Sequence, residues 1–207
     1  MLHWPIGFTY FTQMSNIFAA IVCLAQLLCL LRGRKTGQPS EEKAVLHLLK
    51  YFAVLCVVIT FLVFFAALGP LQPGGLLAAY LQDHGASMCM HLITPALMTI
   101  DFFANDARLP YGKKCIPLGM LPPLLYLGFI LLLGGAGVRW GHGTMAAPYP
   151  FLNYDAPAGW FGYAPETIGM TTFGVGVFYV IIVFAVLTLL LSLVLQKLAS
   201  VWRARML

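Results

Sequence analysis

The amino-acid sequence predicts an all-α, polytopic integral membrane helix bundle with five transmembrane helices, its N-terminus outside and its C-terminus inside. Three observations lead there. The 207-residue chain is 60% apolar and only 9% charged, against roughly 45–50% and about 25% in ordinary soluble domains. It therefore lacks the polar residues to cover a soluble surface. Five segments hold the roughly 20 mostly apolar residues that a helix needs to cross the hydrocarbon core. The basic residues, finally, fall in clusters between those segments. Together these features exclude a soluble enzyme, a nucleic-acid-binding domain and a disordered tail, so the net charge of +5 is read as a topology signal.

The spans are read at about 10–31, 48–68, 86–103, 116–138 and 168–195, within one transmembrane domain covering 1–207. The stretch 76–82 is too short to cross and follows Pro70, Pro73, Gly74 and Gly75, so an interfacial turn of helix is expected. The start of the chain is not read as a cleavable signal. It has no Lys or Arg ahead of its apolar run, which exceeds the roughly 7–15 residues of a signal's apolar region and ends in Arg32-Gly33-Arg34-Lys35.

Orientation follows from the positive-inside bias. Placing 32–50, 104–115 and the C-terminus on the cytoplasmic side gathers Arg32, Arg34, Lys35, Lys43, Lys50, Arg108, Lys113, Lys114, Lys197, Arg203 and Arg205 there, leaving Arg139 opposite. Five spans satisfy that alternation. The five cysteines contain no CxxC pairing, so no disulfide framework or cysteine metal site is expected. Cys23, Cys29, Cys56 and Cys115 lie in or beside spans and read as packing residues.

Polar side chains inside a span are costly and mark interior faces. Thr12, Ser15 and Asn16 stand at i, i+3 and i+4 and share a face of the first helix, as helix–helix glue or as part of a site. The third helix carries His91, Thr94, Pro95 and Asp101. At about 1.5 Å per residue, His91 lies about 7 Å below the outer face, a depth that Thr12 shares, so the two can meet. Asp101 lies about 15 Å deeper, out of reach of His91, and is expected to pair with Arg108 or a basic neighbour. Pro95 is expected to bend the helix below His91. His3, His84, His91 and His142 all fall on the outer side, with His47 inside. The outer 139–167 connection is long and aromatic, with Trp140, Tyr149, Phe151, Tyr154, Trp160, Phe161 and Tyr163. It reads as an aromatic belt at the headgroups or as a lid over an outer-leaflet pocket.

Three segments, taken in order, resemble a known family: Phe8-Thr9-Tyr10-Phe11-Thr12-Gln13-Met14-Ser15-Asn16, then Met90-His91-Leu92-Ile93-Thr94-Pro95, then Tyr149-Pro150-Phe151-Leu152. They look like the androgen-induced-gene and androgen-dependent TFPI-regulating membrane proteins and their bacterial relatives. Animal members are intramembrane threonine hydrolases that cleave fatty acid esters of hydroxy fatty acids, with one Thr and one His essential. The resemblance implies that Thr12 and His91 are the catalytic residues and that Tyr149, Pro150, Phe151 and Leu152 form a substrate loop. Family members usually carry a helix before the threonine-bearing one and an acidic residue after the loop motif. Here the Thr12 helix is the first of five, Asn153 follows the motif, and Asp155 comes two residues later.

The expected chemistry is attack of the Thr12 hydroxyl on a fatty-acyl ester in the outer leaflet, with His91 as base. Ser15, Asn16 and Thr94 are candidate oxyanion donors, while no carboxylate is evidently placed to orient the histidine, Asp83, Asp155 and Glu166 being the acids considered on the outer side. No cofactor, metal or nucleic acid is expected. The expected partners are the bilayer and a lipid substrate, and the expected location is a membrane crossed several times, the cytoplasmic membrane if the source is bacterial. Two rivals stand beside this reading. One is a metal-dependent membrane hydrolase using His84 and His91 at i and i+7, with Asp83 and His142. The other is a non-enzymatic lipid-binding or transport protein whose polar path runs past Asp101.

Overall fold

The computed structural model describes residues 6–36, 44–106 and 112–206. It is helical, and five of its helices are long and apolar enough to cross a membrane. We label α1 Phe11–Thr36, α2 Ala44–Leu68, α3 Gly75–Leu81, α4 Asp83–Asp106, α5 Cys115–Gly135 and α6 Val177–Met206. The short α3 stands where an interfacial turn of helix is expected. Pro70, Pro73 and two positive-φ glycines, Gly74 and Gly75, turn the chain ahead of it. The chain forms two compact units, one from Met1–Tyr10 and Met120–Leu190, the other from Phe11–Gly119 and Leu191–Leu207.

In the second unit α2 is the central helix. It is 56% buried over its most apolar window, where α1 is 17% and α4 is 28%. A helix that is apolar on every side belongs in a core, and one apolar but exposed faces lipid. Tyr51, Val54, Leu55 and Val57 of α2 pack against Ala19 and Val22 of α1, Met98 and Phe102 of α4, and Leu195 and Ala199 of α6. Ala19 and Ala53 are almost fully buried, and their size lets helices without a hydrophobic drive between them come close.

One end of this unit is locked by charge. Lys50, fully buried, donates to the Asp101 carboxylate and to Gln26 Oε1 at 3.0 Å. Asp106, also buried, accepts from Gln26 Nε2 at 3.1 Å and His47 Nδ1 at 2.9 Å. These contacts tie α1, α2 and α4 together. The basic neighbour expected for Asp101 is thus Lys50, while Arg108, like Lys43 and His3, lies outside the described residues. The sequence reading counted Lys50 with the 32–50 basic cluster, at the start of a span expected from 48. The helix starts earlier, at Ala44, so Lys50 lies well inside it, where a buried ammonium persists only because carboxylate and amide oxygens surround it.

In the other unit, buried Thr9 is a hub. Its hydroxyl donates to Ile6 O at 2.6 Å and accepts from Trp140 Nε1 at 2.8 Å, while its carbonyl accepts from Tyr126 OH at 3.1 Å. The last span begins at Val177, not near 168. Gly174 takes a positive φ, and Gly176 lies against the Trp160 backbone where a Cβ would collide. The segment before Val177 therefore forms turns, with Gly169 N–H on Thr172 O and Gly176 N–H on Gly162 O. At the far end α6 runs on past 195 to Met206, with Arg203 and Arg205 in its last turn, where cations favour the helix dipole. The α5 helix stops at Gly135 instead of 138, and Gly137 has φ 88°.

Lys50→Ala should destabilise the fold by about 3 kcal/mol, the low end for a buried pair because Asp101 is half-exposed. Thermal unfolding in detergent measures this. An unchanged midpoint would mean that Lys50 reaches solvent and that the lock does not exist.

Candidate functional site

Thr12 is the second residue of α1 and is buried. Its hydroxyl oxygen lies 3.3 Å from His91 Nε2. The two residues that shared a depth in the sequence therefore meet in the structure. His91 is 9% exposed and is held on three sides. Its Nδ1 lies 2.8 Å from Ser87 O and 3.4 Å from Ser87 Oγ, and the Phe64 ring stacks on the imidazole with centroids 3.8 Å apart and planes at 22°. Tyr80 of α3 packs against Phe64 from behind, at 5.0 Å.

The hydrogen-bond network assigns the tautomer. A backbone carbonyl only accepts, so Nδ1 carries the proton and gives it to Ser87 O. In a neutral ring Nε2 is then a lone-pair acceptor, and the Thr12 O–H donates to it. That is the protonation arrangement a hydroxyl nucleophile and its base require.

A local defect in α4 positions the ring. Residues Cys89–Ile93 form a π-turn, and Thr94 N–H bonds back to Cys89 O. Pro95, next in line, has no N–H to give, which leaves the Met90 carbonyl without its helical donor. Asn16 of α1 supplies one, with Nδ2 3.3 Å from Met90 O. The second Asn16 amide hydrogen goes to Thr12 O at 2.8 Å. One side chain thus spans from the Thr12 backbone to the residue before His91. The bend expected at Pro95 takes the form of this widened turn.

Ser15 completes the frame. Its oxygen lies 3.0 Å from Thr12 O and 3.0 Å from Thr60 Oγ1 of α2, and Thr60 in turn lies 3.1 Å from Cys56 O. Two hydroxyl hydrogens serve these three contacts. Ser15 and Asn16 were expected as oxyanion donors, yet in this geometry their hydrogens are committed to protein oxygens. Their structural role is to hold Thr12 and His91 in register. Thr94 is half-buried and makes no side-chain hydrogen bond among the described residues.

Among the described residues no carboxylate orients His91. The Ser87 carbonyl does so, and a carbonyl cannot be found from composition or spacing. Asp83 is exposed at a positive-φ turn, Asp155 faces Arg139 at 3.5 Å, and Glu166 is exposed. The proposed i, i+7 pairing of His84 with His91 also fails. Asp83, His84 and Gly85 all have positive φ and form a separate tight turn, so the regular helix starts only at Ala86. Among the described residues no three His, Cys, Asp or Glu side chains converge as a metal site would need.

The Tyr149–Leu152 segment lies in the other unit and is largely buried there. Tyr149 stacks on Phe151 at 5.1 Å and meets Tyr10 edge-on at 5.5 Å, and Phe151 contacts Phe184 at 5.2 Å. Pro150 opens the 3-10 turn that holds Phe151 and Leu152. Asn153, standing where the resembled family prefers an acid, accepts from Ala146 N–H at 3.0 Å and donates to Thr171 O at 2.8 Å. A carboxylate could not make the second bond. The 139–167 connection divides accordingly, with Trp140 inside and Phe161 and Tyr163 exposed.

Comparison with protein-family models, with curated proteins and with solved structures finds no match. The geometry of the Thr12–His91 pair therefore carries the functional argument.

Nitrogen-15 spectra of the labelled protein should show His91 as the neutral ring protonated on Nδ1. A ring protonated on Nε2 would reverse the donor direction and remove His91 as a base for Thr12.

Proposed function

We propose that this protein is an intramembrane hydrolase of fatty-acyl esters, with Thr12 as nucleophile and His91 as general base. The observation that carries the reading is the 3.3 Å contact from Thr12 Oγ1 to His91 Nε2, with the other ring nitrogen committed to Ser87 O. A bare threonine hydroxyl is a weak nucleophile at neutral pH, and such a base is what activates it. The resemblance to the androgen-induced-gene family points to the same two residues.

In the proposed reaction the Thr12 oxygen attacks the ester carbonyl carbon as its proton passes to His91 Nε2. The tetrahedral adduct collapses, the carbon–oxygen bond to the alcohol breaks, and Nε2 returns the proton to the departing alkoxide. Water then attacks the Thr12 acyl ester with His91 again taking the proton. Release of the fatty acid returns the proton to Thr12. The first turn of α1 presents the positive end of its dipole beside Thr12, a favourable place for oxyanion charge. Apolar side chains of the spans suit the acyl chain, and the positive-inside bias places the pair toward the outer leaflet.

Thr12→Ala and His91→Ala should each lose at least about 10²-fold in turnover, the lower bound for removing a general base, while remaining folded. Fatty-acid release from a panel of acyl esters measures it, and full activity in either variant overturns the mechanism. Turnover should also fall as pH drops through the His91 titration, because protonated Nε2 cannot accept the Thr12 hydrogen. A rate that instead rises on acidification would assign His91 the acid role only. Esters that bind the wild type and both variants equally, with no hydrolysis by any, would identify a lipid-binding protein.

A further inference from the structure

A second constellation lies far along the chain from Thr12 and His91. Where α5 begins and α6 ends, Ile116, Leu193, Gln196, Lys197, Ser200 and Arg203 line a cavity of about 260 Å³. The five α6 residues recur at three- and four-residue steps and so form one stripe of that helix. Ile116 and Leu193 make an apolar wall, and Lys197 and Arg203 place two cations beside it. Lys113 and Lys114, both exposed, immediately precede α5.

The charge bias between membrane faces accounts for the sign of these residues. It does not account for their geometry. Arg203 is half-buried, and its Nε atom is shielded from solvent with no acceptor. A buried guanidinium N–H without an acceptor is costly, and in native proteins it signals a missing partner. Among the described residues neither Arg203 nor Lys197 has a carboxylate within ion-pair distance. Ser200 and Gln196 are already engaged, on Lys197 O at 2.7 Å and Gly112 O at 3.5 Å. The missing partner of Arg203 must therefore be an acceptor, and the exposed Lys197 beside it favours one that carries negative charge.

We propose that this cavity binds one phosphate group, with Arg203 and Lys197 on its oxygens and Ile116 and Leu193 against whatever apolar chain adjoins it. Arg203 supplies the planar donors suited to phosphate oxygens and Lys197 the point charge. The cavity sits where the α5 span begins and the α6 span ends, and basic pockets between helices are recurrent headgroup sites. A phospholipid headgroup and free inorganic phosphate share this chemistry. The inference does not depend on the hydrolase reading.

The test is native mass spectrometry of the full chain released from detergent with phosphatidylglycerol, with phosphatidylcholine or with inorganic phosphate. The wild type should retain one phosphatidylglycerol, and the Lys197→Gln/Arg203→Gln variant should lose affinity by roughly fivefold per charge removed. Arg203→Lys keeps the charge but deletes the Nε donor, and should also weaken retention. Arg34→Gln/Lys35→Gln, which removes two exposed cations from α1, should retain the lipid. Retention unaffected by millimolar inorganic phosphate assigns the site to a headgroup, whereas displacement of the lipid by phosphate assigns it to the free anion. Equal retention by the wild type and the Lys197/Arg203 variant overturns the proposal. So does an equal loss in the Arg34/Lys35 variant, since that reports surface charge alone. Unfolding midpoints of all variants, read alongside, separate lost binding from lost folding.

Discussion

The side-chain amide of Asn16 is the interaction on which the candidate site depends. In hydrocarbon a backbone carbonyl without a donor costs several kcal/mol by transfer estimates, so a helix that loses a donor must find another nearby. Pro95 removes one from α4, and the π-turn at Cys89–Ile93 shifts the deficit to Met90 O. Asn16 fills it from α1 while its other hydrogen holds Thr12 O. The relative height of α1 and α4 is thereby fixed at the position where Thr12 and His91 touch. A sequence defect in one span is answered by a polar residue in another, and the Thr12–His91 contact lies between them.

The two ends of this unit are stabilised differently. Around Thr12 the contacts are neutral: hydroxyls, an amide, carbonyls and the Phe64 ring. Around Lys50 they are ionic, with Asp101 and Asp106 drawing in Lys50, His47 and Gln26. Ionic groups hold three helices rigidly, because an unpaired charge in that position would be severely destabilising. The neutral groups bury no charge at rest, so any proton transfer from Thr12 to His91 would create an ion pair between them. The division gives the unit one ionic end and one neutral end, and the proposed site lies at the neutral one.

Much of the membrane architecture was legible in the sequence because hydrophobic length is a coarse signal that needs no partner. The meeting of Thr12 and His91 was legible too, since depth along a helix follows from residue count alone. Other features depended on contacts and were not. Lys50 counts as a topology charge until Asp101 is known to face it. The start of the last span was placed nine residues early, because 168–176 is apolar enough to pass and only the glycine packing at Gly174 and Gly176 stops the helix. Phe64 and Thr60 look like ordinary span residues. Ser87 acts on His91 chiefly through its carbonyl, a group every residue possesses. The i, i+7 spacing of His84 and His91 misled because positive φ at 83–85 breaks the periodicity on which it rested.

The absence of a carboxylate behind His91 among the described residues has a chemical consequence for the proposed reaction. In a serine-type triad an acid stabilises the imidazolium that forms when the base takes its proton. Here the Ser87 carbonyl fixes the same tautomer with a dipole instead of a full charge. The imidazolium and the oxyanion must then stabilise one another across the few ångströms that separate Nε2 from the reacting carbon. In apolar surroundings such a close pair of opposite charges is worth more than in water. A substrate that brought its own charge to the reacting carbon would disturb that balance. An ester linkage, neutral and flanked by apolar chains, would not.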